Sequence, residues 1–270
     1  MPLLNVNDGT GFQLNYEVHP GLVPTTTLFI HGNLASNRWW YPTHELWQTK
    51  ARGKNYQGSL VYAEFRGCGK SSAPKNESEV DMNRFADDFI QLAKSLNQGP
   101  INLVGHSTGG LIAGLMLAKA PELFKKAIFL DPVGANGVQF DNSMINAFEQ
   151  MKVDRDLVGV VMNSTIYEND KESEFFKNIV VEDAFHAVKS VGHLVLKALD
   201  GLDSRQSIAK ITHPVLVLHG EHDNLLPMQD SKAMAGLIKN AQFRVIDGQG
   251  HCANVEAPEK FVGLAQEFLF

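Results

Sequence analysis

Leu103-Val104-Gly105-His106-Ser107-Thr108-Gly109-Gly110 lies between two patterns that fix its geometry. Before it runs an apolar segment, Ile101 to Val104, which reads as a strand. Directly after it, Leu111 to Lys119 reads as a helix. Strand, Gly-x-Ser-x-Gly, helix is the order of a nucleophile elbow, in which the turn is so sharp that the Ser backbone is strained. The residues two before and two after the Ser must be small, or their side chains collide. Such a turn holds a Ser hydroxyl out at the tip of a strand. The helix that starts at the next residue points free N–H groups toward the same place, where they favour negative charge. A bare Gly-x-Ser-x-Gly also occurs in ordinary surface turns, and the flanking patterns argue against that here.

Outward from this stretch, short apolar runs recur. Thr27 to Ile30, Leu60 to Ala63, Ala127 to Leu130, Val215 to Leu218 and Phe243 to Ile246 read as strands apolar throughout, which suits a mostly parallel sheet buried on both faces. Phe12, Leu14, Tyr16 and Val18 alternate with more polar neighbours, as in an antiparallel edge strand. Between the runs, Phe85, Phe89, Leu92, Ala93 and Leu96 recur at helical spacing, as do Met234, Leu237 and Ile238, and Phe261, Leu264, Ala265 and Phe268. Alternating β and α segments predict an α/β fold with helices on both faces of the sheet. One interval breaks the alternation. From 134 to 207 apolar residues keep helical spacing and no β run is convincing, so the expected division is a core of 1–133 and 208–270 with an all-helical insertion between them.

The chain has 270 residues, 44% of them hydrophobic, enough for one large core plus such an insertion. A net charge of −6 gives no reason to expect nucleic acid or an anionic membrane as partner. The first residues show neither a basic region nor a long apolar run, and no segment is long enough for a bilayer span, so no membrane insertion is expected. Only Cys68 and Cys252 are present, which is no disulfide framework; the expected location is cytoplasmic. The sequence leaves the oligomeric state open.

A Ser hydroxyl needs a base to take its proton, and the base needs an acid to orient it. His251 stands in a Gly-rich loop, Asp247-Gly248-Gln249-Gly250-His251, just past the Phe243–Ile246 run. Loops after the carboxyl ends of parallel strands form the ligand-binding edge of such a sheet, and Ser107 sits on the same edge. The acid is sought by the same rule. Asp223 follows the Val215–Leu218 run and is preferred; Glu221 stands two residues before it, and Asp131 follows the Ala127–Leu130 run. An oxyanion needs backbone N–H donors aimed at it beforehand. Thr108, after the Ser, supplies one. The other comes from His31-Gly32-Asn33-Leu34, after Thr27–Ile30, with Asn33 preferred over Leu34.

These segments resemble the α/β-hydrolase superfamily, in its capped single-domain branch. The resemblance rests on His31-Gly32-Asn33, Arg66-Gly67-Cys68-Gly69-Lys70-Ser71, Gly105 to Gly110, His219-Gly220-Glu221-His222-Asp223, and Gly250-His251 with Glu256 and Pro258 behind it. It implies a Ser107, Asp223, His251 triad, and a helical cap between the sixth and seventh core strands. The family often has Asp where Glu64 stands before the Arg-Gly-x-Gly loop, a loop that is usually structural.

Other signals carry less. Gly67-Cys68-Gly69-Lys70-Ser71 fails as a phosphate loop because Glu64 stands where that pattern needs Gly. His219 with His222, and His186 with His193, lack the partners a zinc site needs, so no metal and no cofactor are expected. Cys252 adjoins the candidate base but reads as packing. Trp39, Trp40 and Trp47 read as core packing, with the sharper alternative that Trp39 or Trp40 lines an acyl pocket. Leu34, Met144 and Phe148 are further pocket candidates, alongside Met151, Met162, Phe175, Phe176 and Phe185 in the insertion.

The functional expectation is a serine hydrolase acting on a small-molecule ester of largely apolar character through an acyl-enzyme. A lactone, or a C–C bond in a vinylogous diketone, fits the same triad. A Ser at 107 argues against dehalogenase or epoxide hydrolase chemistry, where the resemblance would call for Asp. From other classes, a small-molecule receptor and a cofactor-free perhydrolase share the scaffold.

Overall fold

Thr26–Ile30, Ile101–His106 and Val215–Gly220 are buried at every residue. Strands of that kind lie inside a sheet covered on both faces, and a computed structural model of the chain has that sheet. It describes residues 2–48, 50, 51, 54, 55 and 58–270. The eight strands are β1 (Leu3–Asn5), β2 (Gln13–His19), β3 (Thr26–Ile30), β4 (Ser59–Ala63), β5 (Ile101–His106), β6 (Phe124–Leu130), β7 (Val215–Gly220) and β8 (Ala241–Ile246). Their spatial order is β1-β2-β4-β3-β5-β6-β7-β8. From β4 to β8 across the sheet all neighbours are parallel, while β2 pairs antiparallel with both β1 and β4. A separate small hairpin pairs Lys50–Ala51 with Lys54–Asn55.

The helices are α1 (Tyr41–Gln48), α2 (Met82–Ser95), α3 (Thr108–Lys119), α4 (Asn142–Met151), α5 (Arg155–Thr165), α6 (Val181–Ala187), α7 (His193–Leu199), α8 (Arg205–Ile208), α9 (Met228–Leu237), α10 (Ala253–Glu256) and α11 (Pro258–Leu269). Strand side chains alternate between two cores. Leu28, Ile30, Leu103 and Val217 face one, with Phe85, Phe89 and Leu115 of α2 and α3. Phe29, Val104, Leu216 and Leu218 face the other, with Trp47 of α1 and Phe261 of α11. Between β6 and β7 the described elements are all helical, from α4 to α8, and their apolar faces join the first core through Met151, Val158, Val188 and Val195.

The strand order turns at one place. The chain leaves β3 for β4 on one side, then returns to β5 on the other. Neighbouring strands whose connections depart in opposite directions leave a crevice at their carboxyl ends. β3 ends at Ile30, which pairs with Gly105 at the head of the Ser107 turn.

The loop after β4 is held from inside. Arg66 is fully buried and donates to Asp88 at 2.8 and 2.9 Å and to Glu79 at 3.2 Å, with its guanidinium over the Phe12 ring. Glu64 accepts from the Lys70 N–H at 2.7 Å, the Asn15 amide at 2.8 Å and the Asn37 N–H at 3.2 Å. A Cβ on Gly69 would stand 2.1 Å from Glu64 Oε1, and Gly69 has φ +52°, so the carboxylate occupies the space a side chain would need. Both partners are committed to shaping this turn.

Candidate active site

Ser107 has φ 54° and ψ −121°, a conformation rare for any residue with a side chain. The surrounding chain holds it there. Its N–H donates to the Leu130 carbonyl at 2.9 Å, and its carbonyl accepts from Gly110 and Val133 at 2.9 and 3.1 Å. The flanking glycines have no room for more: a Cβ on Gly105 would stand 2.3 Å from the Gly109 carbonyl oxygen, and one on Gly109 would stand 2.4 Å from the carbonyl oxygens of both Ile30 and His31. Ser107 thus sits at the end of β5 immediately before α3, and remains 8% exposed.

His251 follows β8, and Asp223 follows β7. The two loops are tied together by the His222 N–H, which donates to the Gln249 carbonyl at 2.7 Å. His251 Nδ1–H donates to Asp223 Oδ2 at 2.8 Å. That bond puts the ring proton on Nδ1 and leaves Nε2 free to accept one. Asp223 Oδ1 accepts from the N–H groups of Leu225 and Leu226 at 2.7 and 3.0 Å. Burial pushes the Asp223 carboxyl up, but the neighbouring His251 and these hydrogen bonds outweigh it and leave it below the usual carboxylate range. Ser107 and this His line one cavity, and a base whose other nitrogen is fixed by a carboxylate can take a Ser proton for nucleophilic catalysis.

Three further groups surround the His. His106 Nε2–H donates to the His251 carbonyl at 2.9 Å, and burial holds the His106 ring neutral by lowering its pKa to about 3. Glu256 clamps the turn that carries His251, accepting from the N–H groups of Gly250 and Cys252 at 2.6 and 2.9 Å. It also accepts from the Tyr167 N–H of the helical insertion at 3.0 Å. Asp131, the rival acid, lies in the same place, fully buried with φ 43°. Glu221 turns away. It accepts from the Gly248 N–H at 2.7 Å, and its side chain is half exposed.

Asn33 and Leu34 stand beside the Ser107 turn; a Cβ on Gly32 would come within 3.0 Å of Ser107 Cβ. The Leu34 N–H is taken by Asn33 Oδ1 at 3.0 Å, which favours the Asn33 N–H over that of Leu34 as the open donor of this loop. Thr108 is the first residue of α3, where N–H groups have no partner inside the helix. The Asn33 amide group also donates to the Gly192 carbonyl at 3.0 Å, joining this loop to the helical insertion.

Ser107 and His251 open into a cavity of about 530 Å³ between sheet edge and insertion. Leu34, Trp39, Met144, Phe148 and Met162 line it. Trp40 does not. It is fully buried on the opposite face of the sheet, against Phe29 and Phe261, because successive residues of the 3₁₀ turn Asn37–Trp40 project about a third of a turn apart. Met151, Phe175, Phe176 and Phe185 do not line it either: Met151 and Phe176 are buried in the apolar core, and Phe175 and Phe185 pack against it partly buried. Cys252 is buried beside the site with its Sγ toward the Thr165 carbonyl, and burial pushes both cysteine thiols up, away from the reactive thiolate form. Among the described residues the one grouping with metal-binding potential is Asp131, Asp223 and His251, which leaves out His186, His193, His219 and His222.

Sequence reasoning did not assign a role to His106 or Glu256. His106 neighbours the Ser, but its bond to the His251 carbonyl spans 145 positions and leaves no local pattern. Glu256 lies one helical turn past His251, an N-terminal acidic position that could have flagged it.

The description "alpha/beta hydrolase fold" belongs to the family whose pattern matches residues 27–258. Over 218 residues the chain is 24% identical to 2-hydroxymuconate semialdehyde hydrolase of Pseudomonas sp. (strain CF600), covering 78% of this chain and 76% of that one. Among solved structures, the enol-lactonase of Burkholderia xenovorans LB400 superposes with TM-score 0.85 at 19% identity, over 99% of both chains. An esterase of Exiguobacterium antarcticum superposes with TM-score 0.83 at 21% identity, over 99% of this chain and 98% of that one. No helix among the described residues is long and apolar enough to cross a membrane.

Proposed function

The chain belongs to the alpha/beta hydrolase family, and from that premise we propose that it is a serine hydrolase cleaving carboxylic esters of small to medium, uncharged, largely apolar substrates. Ser107 Oγ attacks the ester carbonyl while His251 Nε2 takes its proton, and Asp223 stabilises the imidazolium that forms. The N–H groups of Asn33 and Thr108 receive the oxyanion. His251 then gives the proton to the leaving alcohol as the C–O bond breaks, which leaves the acyl group on Ser107. A water molecule, deprotonated by His251, adds to that acyl group. The carboxylic acid departs as Ser107 regains its proton. The helices of 134–207 act as the cap that encloses the acyl chain.

One observation carries the substrate class. Ser107 and His251 stand in the wall of the 530 Å³ cavity, and no Lys or Arg is among its described lining residues. An anionic substrate, such as the name of the muconate semialdehyde hydrolase implies for that enzyme, would bring a carboxylate here without a cation to pair it. A neutral acyl chain replaces water against Leu34, Met144 and Phe148 at no such cost.

Fluorophosphonate treatment followed by mass spectrometry tests the chemistry. Rapid labelling of Ser107, abolished in Ser107→Ala and slowed in His251→Ala, is expected; folded protein that takes no label overturns the reading. A p-nitrophenyl ester panel run beside neutral lactones tests the substrate. Neutral esters should be cleaved faster than lactones and than hemi-esters of dicarboxylic acids. Preference for the anionic hemi-esters would remove the argument from the cavity wall.

A further inference from the structure

Two carboxyl groups stand behind His251, and one suffices to hold the ring. Asp131 comes from the turn after β6, Asp223 from the turn after β7, and the side chains of both are fully buried. One polar atom from each of Asp131, Asp223 and His251 lies within 4.8 Å of the other two. Their hydrogen-bond surroundings differ. Asp223 is served by three donors, the His251 ring and two backbone N–H groups. Asp131 Oδ1 accepts from the Gly220 N–H at 2.7 Å, and Asp131 Oδ2 has no hydrogen-bond donor at all.

The remaining titratable groups do not supply a compensating charge. His219 lies 3.4 Å from Asp131 Oδ1 and 3.8 Å from Asp223 Oδ2, but burial lowers its pKa and keeps it neutral. Glu256, from α10, adds further negative charge nearby. Two carboxylates in contact without a buried cation do not both ionise, and the one with more donors keeps the charge.

We propose that Asp131 is held as a neutral carboxylic acid whose Oδ2–H donates to the Asp223 carboxylate, making it a positioning residue for the acid behind His251. Burial and the charge of Asp223 both push the Asp131 carboxyl well above its ordinary range, against the single Gly220 N–H. The proton fills the one unserved oxygen of the cluster. It also draws charge from Asp223, weakening the pull of that carboxylate on the His251 Nδ1–H. The second consequence rests on the triad reading above; the protonation of Asp131 does not.

Carbon-13 NMR of the full chain labelled at the aspartate carboxyl carbon tests the protonation alone. At pH 8 one aspartate is expected to keep the chemical shift of a protonated acid, and Asp131→Asn should remove that resonance. A spectrum in which every aspartate carboxyl is ionised overturns the proposal, whether or not the protein hydrolyses esters. The pH dependence of Ser107 labelling by fluorophosphonate tests the positioning role. Asp131→Asn keeps an N–H donor toward Asp223 and should leave the acid limb in place. Asp131→Leu removes the donor and should move that limb upward by about one pH unit. A downward shift in Asp131→Asn would mean that a negative charge had been removed, and would overturn the proposal. So would a loss of stability in Asp131→Leu with no movement of the limb. If Asp131→Asn does not fold, the resonance of the unaltered chain decides the matter.

Discussion

Asp223→Asn keeps the shape of the acid and changes what its two terminal atoms can do. Asp223 accepts three hydrogen bonds, from Leu225 and Leu226 N–H on Oδ1 and from His251 Nδ1–H on Oδ2. An amide has one acceptor oxygen. If that oxygen stays with the two backbone donors, the NH₂ group faces His251 and forces the ring proton onto Nε2, the atom that must receive the Ser107 proton. If the amide turns over, the two N–H groups meet an NH₂ donor. One of these donors is exposed and the other part-buried, so leaving both without an acceptor costs about 1–3 kcal/mol in total. At about 1.4 kcal/mol per factor of ten, the productive arrangement is then reached about 5- to 150-fold less often. Loss of the charge that stabilises the imidazolium adds to this, so a fall of about 10³- to 10⁴-fold in kcat/KM is expected, in line with the ~10⁴-fold fall for the equivalent change in a serine protease triad. The assay is p-nitrophenyl butyrate hydrolysis, with the rate of Ser107 labelling as a substrate-independent check and circular dichroism to verify folding. A fall of less than tenfold refutes the reasoning. So does an equal fall in Glu221→Gln, since Glu221 is committed to the Gly248 N–H at 2.7 Å on the exposed side.

Four further outcomes can be measured. Gly105→Ala should cost on the order of 4 kcal/mol in urea unfolding, because the new Cβ would meet the Gly109 backbone oxygen at 2.3 Å and neither the end of β5 nor the first turn of α3 can yield. Phe148→Ala enlarges the cavity wall and should shift the ester preference toward longer acyl chains in the p-nitrophenyl series; an unchanged preference would take Phe148 out of the acyl site. Arg38→Ala leaves the buried Asp183 of α6 with only the Ser36 hydroxyl, at 2.5 Å, from this pair of partners. It should cost about 2–3 kcal/mol and speed proteolysis within the insertion ahead of the sheet. His106 is neutral in the folded chain, with a pKa of about 3 against 6.5 unfolded, so the unfolded state takes up its proton first as pH falls. Its contribution to stability is complete above pH 6.5 and is lost as pH falls toward 3. Relative to His106→Gln, the wild type should therefore lose about 2 kcal/mol between pH 7 and pH 5, read from urea titrations at the two values.

Much of the sheet edge was legible because its signals are local. A short apolar run followed by a Gly-bearing polar turn appears at Ile30, Val104, Leu218 and Ile246, and each turn carries at least one candidate residue. The strands Phe124–Leu130 and Ala241–Ile246 begin earlier than their apolar runs: Lys125 and Lys126 fall where the register against Ile101–His106 shifts, and Gln242 pairs with Leu216, none of them adding hydrophobicity. Side-chain direction was less legible. Trp39 and Trp40 are adjacent and chemically identical, yet one meets the cavity and the other the far core, and that choice depends on the phase of a single 3₁₀ turn. The insertion hid its layout for a similar reason. Met144 and Met151 share a helical face in the sequence, but α4 is long enough that one end reaches the cavity and the other lies in the core.

The sequence by itself determined the elbow, because the φ 54° backbone of Ser107 and the contacts that exclude a Cβ at Gly105 and Gly109 demand glycine at fixed spacing. It also placed a candidate base and candidate acids after other strands of the same sheet. Tertiary structure decided which carboxyl meets the His251 ring. In the sequence, Asp131 and Asp223 are alternatives separated by 92 positions. In the fold, β6 and β7 are neighbours, and the Asp131 N–H donates to the Leu218 carbonyl at 2.8 Å. That pairing brings both carboxyl groups to one point behind His251. The choice between them rests on the number of N–H donors each one meets, and those donors belong to Gly220, Leu225, Leu226 and His251, whose convergence no local pattern records.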